Sequence, residues 1–188
     1  MSETDFQSAK ASRTTITELM IPSYANFGGK IHGGIILSLM DKVAYVCACK
    51  HARAYCVTAS VDTVDFLHSV EVGELVSLKA SVNYVGKTSM IIGIRVESEN
   101  VKSNVSKHTN TSYFTMVAKD DDNKPFQVPG LILETEIDIR RFMEAIKRKE
   151  LKQKVKDENQ KIKTDFQLSE AIRVLKNERC KFEESVFQ

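Results

Sequence analysis

The sequence predicts an α+β domain in which an antiparallel sheet wraps around one long buried helix. Three observations carry that prediction. The most apolar stretch, residues 33–51, has helical spacing; four stretches rich in β-branched residues follow it; and all 8 glycines and all 3 prolines lie at or before Gly130, where the chain changes character. A helix must bury its apolar side against a second layer, and four consecutive strands supply one.

Residues 14–21 read as a first strand, and residues 22–32, with Pro, Ser, Asn and Gly, as a loop. In the next segment Ile35, Ile36, Leu39, Met40, Val43, Val46 and Cys47 cover well over half a helical circumference. Such a helix is mostly buried. Residues 57–66, 75–85, 89–99 and 109–119 then read as strands. Gly86-Lys87 suits a tight hairpin, and the acids and amide of residues 120–125 suit a turn that bonds its own backbone.

Beyond Gly130 the spacing turns helical and highly charged. Ile139, Phe142, Met143 and Ile146 fall on one face, and Leu168, Ile172 and Leu175 on another. Thr164-Asp165-Phe166-Gln167 has the pattern of a capping box, so two helices are expected to meet near Thr164. The expected organisation is an N-terminal tail over 1–12, one domain over 13–130 and a charged helical extension over 131–188. That extension is basic: residues 140–188 carry 14 of the 27 Lys and Arg and 9 of the 25 Asp and Glu, or +5 against −3 for the rest.

Composition excludes several classes. At 188 residues and 42% hydrophobic the chain can bury a real core. Its first ten residues are polar with both signs of charge, unlike a signal peptide, and no apolar run approaches the ~18 residues of a membrane span. Cys47, Cys49, Cys56 and Cys180 lack the paired spacing of a zinc site, and four cysteines do not suggest a disulfide scaffold. A cytoplasmic protein without a metal is expected. The net charge of +2 favours no partner, and the basic tail lacks the clustered aromatics or long like-charge block of a nucleic-acid binder.

The stretch His32-Gly33-Gly34-Ile35-Ile36-Leu37-Ser38-Leu39-Met40-Asp41 holds the chemistry. It combines free backbone N–H groups at a helix N-terminus, which attract an anion or a polarised carbonyl oxygen, with one acid among aliphatics. That outline suits acyl transfer. Gly34, Ser38, Asp41 and Tyr45 form one helical stripe, which periodicity alone fits equally to a solvated face. Gly33-Gly34 equally suits close approach of helix and sheet.

Three motifs in order, namely His32-Gly33-Gly34 with Leu39-Met40-Asp41, then residues 57–62 leading into Asp65-Phe66, then residues 84–89, make the chain from about Arg13 to Gly130 resemble the hotdog-fold acyl-CoA thioesterases. The cytosolic and bacterial acyl-CoA hydrolases are the group it is most similar to. The resemblance implies that Asp41 is the catalytic acid, as general base on water or nucleophile on the thioester carbonyl, that Gly33 and Gly34 polarise that carbonyl, and that Thr58 stands beside it. His32 suits ordering the loop or contacting acyl-CoA, and a histidine next to a helix start equally suits a local hydrogen bond; the resemblance implies that Lys87, Thr88 and Ser89 meet the CoA phosphates or nucleotide, and a threonine in a strand and a Gly-Lys hairpin also have ordinary structural uses. No cofactor is implied beyond CoA in the substrate.

From Gly34 to Asp41 is ~10 Å along a helix, more than an aspartate side chain spans. An antiparallel partner helix would bring the N-terminus of one subunit to Asp41 of the other, so at least a homodimer is expected, and the resemblance extends this to a hexamer built as a trimer of dimers. Relatives often carry Asn or Asp two residues before the aligned histidine, where this chain has Lys30. Hotdog dehydratases pair an acid with a histidine that is Val46 here, which argues against hydration chemistry. The alternative to an enzyme is an acyl-CoA sensor, which has no need of Asp41. Acyl length is not legible, and the sequence leaves open whether Ile36, Met40 and Tyr45 line an acyl tunnel.

Overall fold

A computed structural model of the chain describes residues 6–183. Strand β1 (Phe6–Ser8), helix α1 (Ala9–Ser12), strand β2 (Thr14–Leu19) and helix α2 (Gly33–Ala52) precede strands β3 (Tyr55–Val61), β4 (Glu74–Val85), β5 (Ser89–Asn100) and β6 (Val105–Lys119). Strand β7 (Gly130–Ile132) and helices α3 (Glu136–Thr164) and α4 (Leu168–Leu175) follow. The main sheet runs β2-β4-β5-β6-β3, antiparallel throughout, with β2 and β3 at its edges. It curls around α2 as a hotdog fold.

Alternation explains how. Val76, Leu78, Ala80 and Val82 of β4, Met90, Ile92, Ile94 and Val96 of β5, and Phe114, Met116 and Ala118 of β6 are buried in one core with Ile36, Met40, Val43, Ala44, Cys47 and Ala48 of α2. Burying each large aliphatic side chain contributes ~1.5–3 kcal/mol. A charge at Val43, which has no exposed surface, would break this seam. The pairing register slips by one residue in three ladders, at Thr58/Ser60, Val82/Tyr84 and Val96/Glu97. An unpaired extra residue bends a strand and increases its twist, which helps the sheet close over the helix.

Several elements depart from expectation. Residues 6–12 are not a free tail: β1 pairs in parallel with β7, and Ala9 and Ser12 of α1 are buried. A β-carbon on Gly130 would lie 2.4 Å from the ring of Phe6, so this approach needs glycine. The expected strand 57–66 stops at Val61, because after the Asp62 N–H bonds the Tyr113 carbonyl the chain leaves the sheet.

The chain divides into two compact units, residues 1–146 and 147–188. Within the first unit the start of α3 is capped by Thr135, whose Oγ1 accepts from the Asp138 N–H (3.1 Å) and donates to its carboxylate (2.8 Å). Asp138 is buried and ion-paired with Arg13 at 3.0 Å, and Phe142 packs on Tyr84 with ring centroids 5.1 Å apart. Burial pushes the Asp138 carboxyl up, but the Thr135 hydroxyl and the Arg13 guanidinium outweigh it and hold it below its ordinary value. The seated face is therefore Asp138, Phe142 and Ala145, with Ile139 and Met143 exposed. In the second unit two helices do meet near Thr164, yet the expected capping box is absent. Thr164 Oγ1 donates back to the carbonyls of Gln160 and Lys161, finishing α3, and Gln167 precedes α4 without a side-chain cap.

Candidate active site

Asp41 lies on the exposed stripe of α2 and Thr58 on β3, where the strand bulges. The Thr58 hydroxyl donates to Asp41 Oδ1 at 2.6 Å. Both line a groove of about 590 Å³ that continues past Lys42, Tyr45, Val46, Tyr55, Cys56 and Val57. Tyr45 and Tyr55 meet edge to face with centroids 6.2 Å apart and give it an aromatic wall. Of the three helix residues left open for an acyl tunnel, Tyr45 lines this groove, whereas Ile36 and Met40 are sealed in the core. Burial pushes the thiol of Cys56 up to about 12, so it stays protonated and serves as apolar lining.

The start of α2 is a second centre. His32 is its N-cap, with Nδ1 accepting from the Gly34 N–H at 2.9 Å. That bond requires glycine, because a β-carbon on Gly34 would sit 2.9 Å from Nδ1. It also occupies the Gly34 N–H, whereas the Gly33 N–H has no partner among the described residues. Phe66 packs over Gly33, its ring 3.3 Å from where a β-carbon would stand. Eight residues of helix, or ~12 Å, separate Gly33 from Asp41. One chain thus joins Asp41 to Thr58, and His32 to Gly34, but not the two pairs to each other.

The loop before α2 supplies a residue that sequence reasoning overlooked. Asn26 Oδ1 accepts from the N–H groups of Gly28 (2.9 Å) and Lys30 (3.2 Å), and Ala25 pairs with Ile31 to close the loop. An Asn followed two residues later by Gly is a turn signal that should have marked it. Lys30 is engaged elsewhere: its Nζ is 2.5 Å from Glu71, whose carboxyl its hydrogen bond holds low.

Lys87, Thr88 and Ser89 form the β4–β5 hairpin. The Lys87 and Thr88 carbonyls accept from Val128 and Ala118, while the Lys87 side chain is exposed. Register links this hairpin to the acid, since Val85, Met90, Met116 and Thr58 pair across four adjacent strands. At ~4.8 Å per strand the hairpin stands ~14 Å from Thr58 at the same end of the sheet. Among the described residues no group of three or more His, Cys, Asp or Glu is placed to hold a metal ion, and no helix is long and apolar enough to cross a membrane.

The model of the thioesterase superfamily matches residues 28–104, from the loop before α2 through β5. The chain is 45% identical over 150 residues to protein VdlD of Helicobacter pylori, covering 79% of this chain and 86% of that protein. It superposes on an apo-hexameric acyl-CoA thioesterase with a TM-score of 0.77 at 39% identity, covering 79% of this chain and 96% of that one. It also superposes on the acyl-CoA hydrolase of Staphylococcus aureus, solved with butyryl-CoA, CoA and CoA disulfide, with a TM-score of 0.76 at 31% identity, covering 83% and 95%. With its curled sheet, its long helix and these relatives, the chain belongs to the hotdog-fold acyl-CoA thioesterases of the thioesterase superfamily.

Proposed function

We propose that the chain hydrolyses acyl-CoA thioesters to CoA and a free carboxylic acid, with Asp41 as the acid of the reaction. The observation that carries this reading is the Thr58–Asp41 hydrogen bond inside the groove. Thr58 occupies Oδ1 and leaves Oδ2 to accept a proton from water. The water oxygen then bonds to the thioester carbon, the carbonyl electrons move to its oxygen, and their return breaks the carbon–sulfur bond. The proton held by Asp41 passes to the departing sulfur. Alternatively Asp41 bonds to the carbonyl carbon itself and water cleaves the resulting anhydride. In both routes the Gly33 N–H and the positive end of α2 stabilise the oxyanion.

Further support comes from the Staphylococcus aureus enzyme, which has been studied as alanine variants at an asparagine, an aspartate and a threonine. Those residues are spaced along that chain as Asn26, Asp41 and Thr58 are in this one. Asn26 accordingly joins the proposed site as a positioning residue, through its side chain or through the loop that it orders.

The ~12 Å between Gly33 and Asp41 calls for two chains. Strand β3 has a free edge beside Thr58, and Gly34, Leu37, Ser38, Asp41 and Tyr45 make α2's exposed stripe, so a second copy can extend the sheet and lay its helix against that stripe. The active unit is then a homodimer, assembled further as a trimer of dimers in which residues 147–188 clamp subunits. No metal or redox cofactor enters this chemistry, and the free cysteines fit a cytoplasmic setting. Thiol release measured on purified protein from acetyl-CoA to palmitoyl-CoA tests the reading. Turnover on at least one length is expected, and acyl-CoA binding without turnover on any would make the chain a sensor.

A further inference from the structure

The face of the sheet turned away from α2 carries a second cavity. Strands β4 and β5 bury Leu78, Ala80, Ile92 and Ile94 against the helix, so their alternate residues, among them Lys79, Ser81, Gly93 and Arg95, face the other way. Together with Arg13 and the first turns of α3 they enclose a cleft of about 600 Å³. It lies wholly within the first compact unit and shares no lining residue with the Asp41 groove.

Its charge is unbalanced. Arg13, Lys79, Arg95, Arg140 and Arg141 line it, with Glu144. Asp138 pairs with Arg13 at 3.0 Å, Glu97 takes both Lys79 and Arg95 at 2.5 and 2.6 Å, and Glu144 takes Arg140 at 2.5 Å. Five cations thus meet three carboxylates, leaving two positive charges. Arg141 is half-buried and its side chain has no partner among the described residues. A partly desolvated guanidinium without a counter-charge is costly, and its planar fork matches an oxyanion.

The lining adds uncharged polar groups. Asn83, the extra residue of the β4 bulge, is buried and folds over Gly93, where a β-carbon would come within 2.2 Å of its amide nitrogen. Ser81 Oγ donates to Asn83 Oδ1 at 2.9 Å, which orients the amide, and Thr15 and Thr111 line the same space, with the Thr111 hydroxyl bonded to His108 Nε2 at 2.8 Å. The excess of two positive charges equals the charge of a phosphate monoester near neutral pH, about −1.5 to −2. We propose that this cleft binds a phosphate-bearing small molecule, at a site separate from the acyl-CoA groove.

Calorimetric titration of the full chain at low salt, with inorganic pyrophosphate and with ADP as probes, tests this. Both should bind, more weakly as salt rises, and Arg141→Gln or Arg95→Gln should weaken binding by about tenfold while the unliganded melting temperature and the KM for acyl-CoA hold. Tighter binding of ADP than of pyrophosphate would identify a nucleotide, and equal binding the phosphate group alone; both support the cleft. No binding at millimolar probe, or equal binding by wild type and both variants, overturns the proposal. So does a KM that rises in step with the lost probe binding, which would make the cleft part of the CoA site. A fall in assembly mass on Arg141→Gln, in a chain that binds neither probe, would make it a contact between copies and also overturn it.

Discussion

The Thr58 hydroxyl reaches Asp41 Oδ1 across 2.6 Å, tying an edge strand to the exposed stripe of the helix that the sheet encloses. The bond orients the carboxylate and spends one of its oxygens. For the proposed reaction, Asp41→Asn keeps the shape and removes the base, so kcat should fall by ~10²-fold or more with acyl-CoA affinity little changed. Thr58→Ala should lower kcat by about tenfold, the value of one hydrogen bond to a charged group, and Thr58→Ser should restore most of it. A well-folded Asp41→Asn protein with wild-type kcat would end this mechanism.

Lys87 stands exposed on the hairpin at the Thr58 end of the sheet, with no ion pair among the described residues. An exposed cation that meets a CoA phosphate contributes uniform binding. Lys87→Ala should therefore raise KM several-fold at low ionic strength, less at high salt, and leave kcat nearly constant. Steady-state kinetics at two salt concentrations decide it, and an unchanged KM at low salt returns Lys87 to an ordinary turn.

Residues 147–188 form their own compact unit and expose Leu151, Val155, Ile162, Leu168 and Leu175. Helices gain most of their stability from packing an apolar face, so these side chains call for a covering surface. The cut belongs after Ile146, because Asp138 and Ala145 are buried within the first unit. Deleting 147–188 should lower the assembly mass or the melting temperature and spare turnover per remaining dimer. Light scattering and thiol release, read together, check this; full assembly with lost turnover would assign the segment to the active site.

His51 has no exposed surface, and its Nε2 bonds the Pro129 carbonyl at 3.1 Å just before β7. Burial lowers its pKa, offset only in part by that carbonyl. The native state therefore holds a neutral imidazole while the unfolded chain takes up a proton below about 6.5. Its stabilising contribution is complete above that pH and is lost as pH falls through it toward the lower native value. The melting temperature should drop between pH 7 and pH 5, and His51→Leu should flatten that part of the curve. An unchanged slope in the variant would remove His51 from the account.

Much of this was legible in the sequence, because period-2 alternation and helical spacing are local properties. The helix beginning at Gly33, strands β4, β5 and β6, and the tail helices meeting near Thr164 follow from side-chain patterns that each segment carries alone. Asp41 could be singled out the same way, as one acid on an apolar helix. Three-residue strands cannot, because β1 and β7 exist only through pairing between residues 6–8 and 130–132 and the bare backbone of Gly130. Only the tertiary structure decided that β3 ends at Val61, that Thr135 rather than Thr164 caps a helix start, and that His32 takes the Gly34 N–H and leaves Gly33 open. The same holds for Thr58 meeting Asp41 and for five cations gathering on the sheet's far face, since residues distant in sequence become neighbours only when the sheet sets their register.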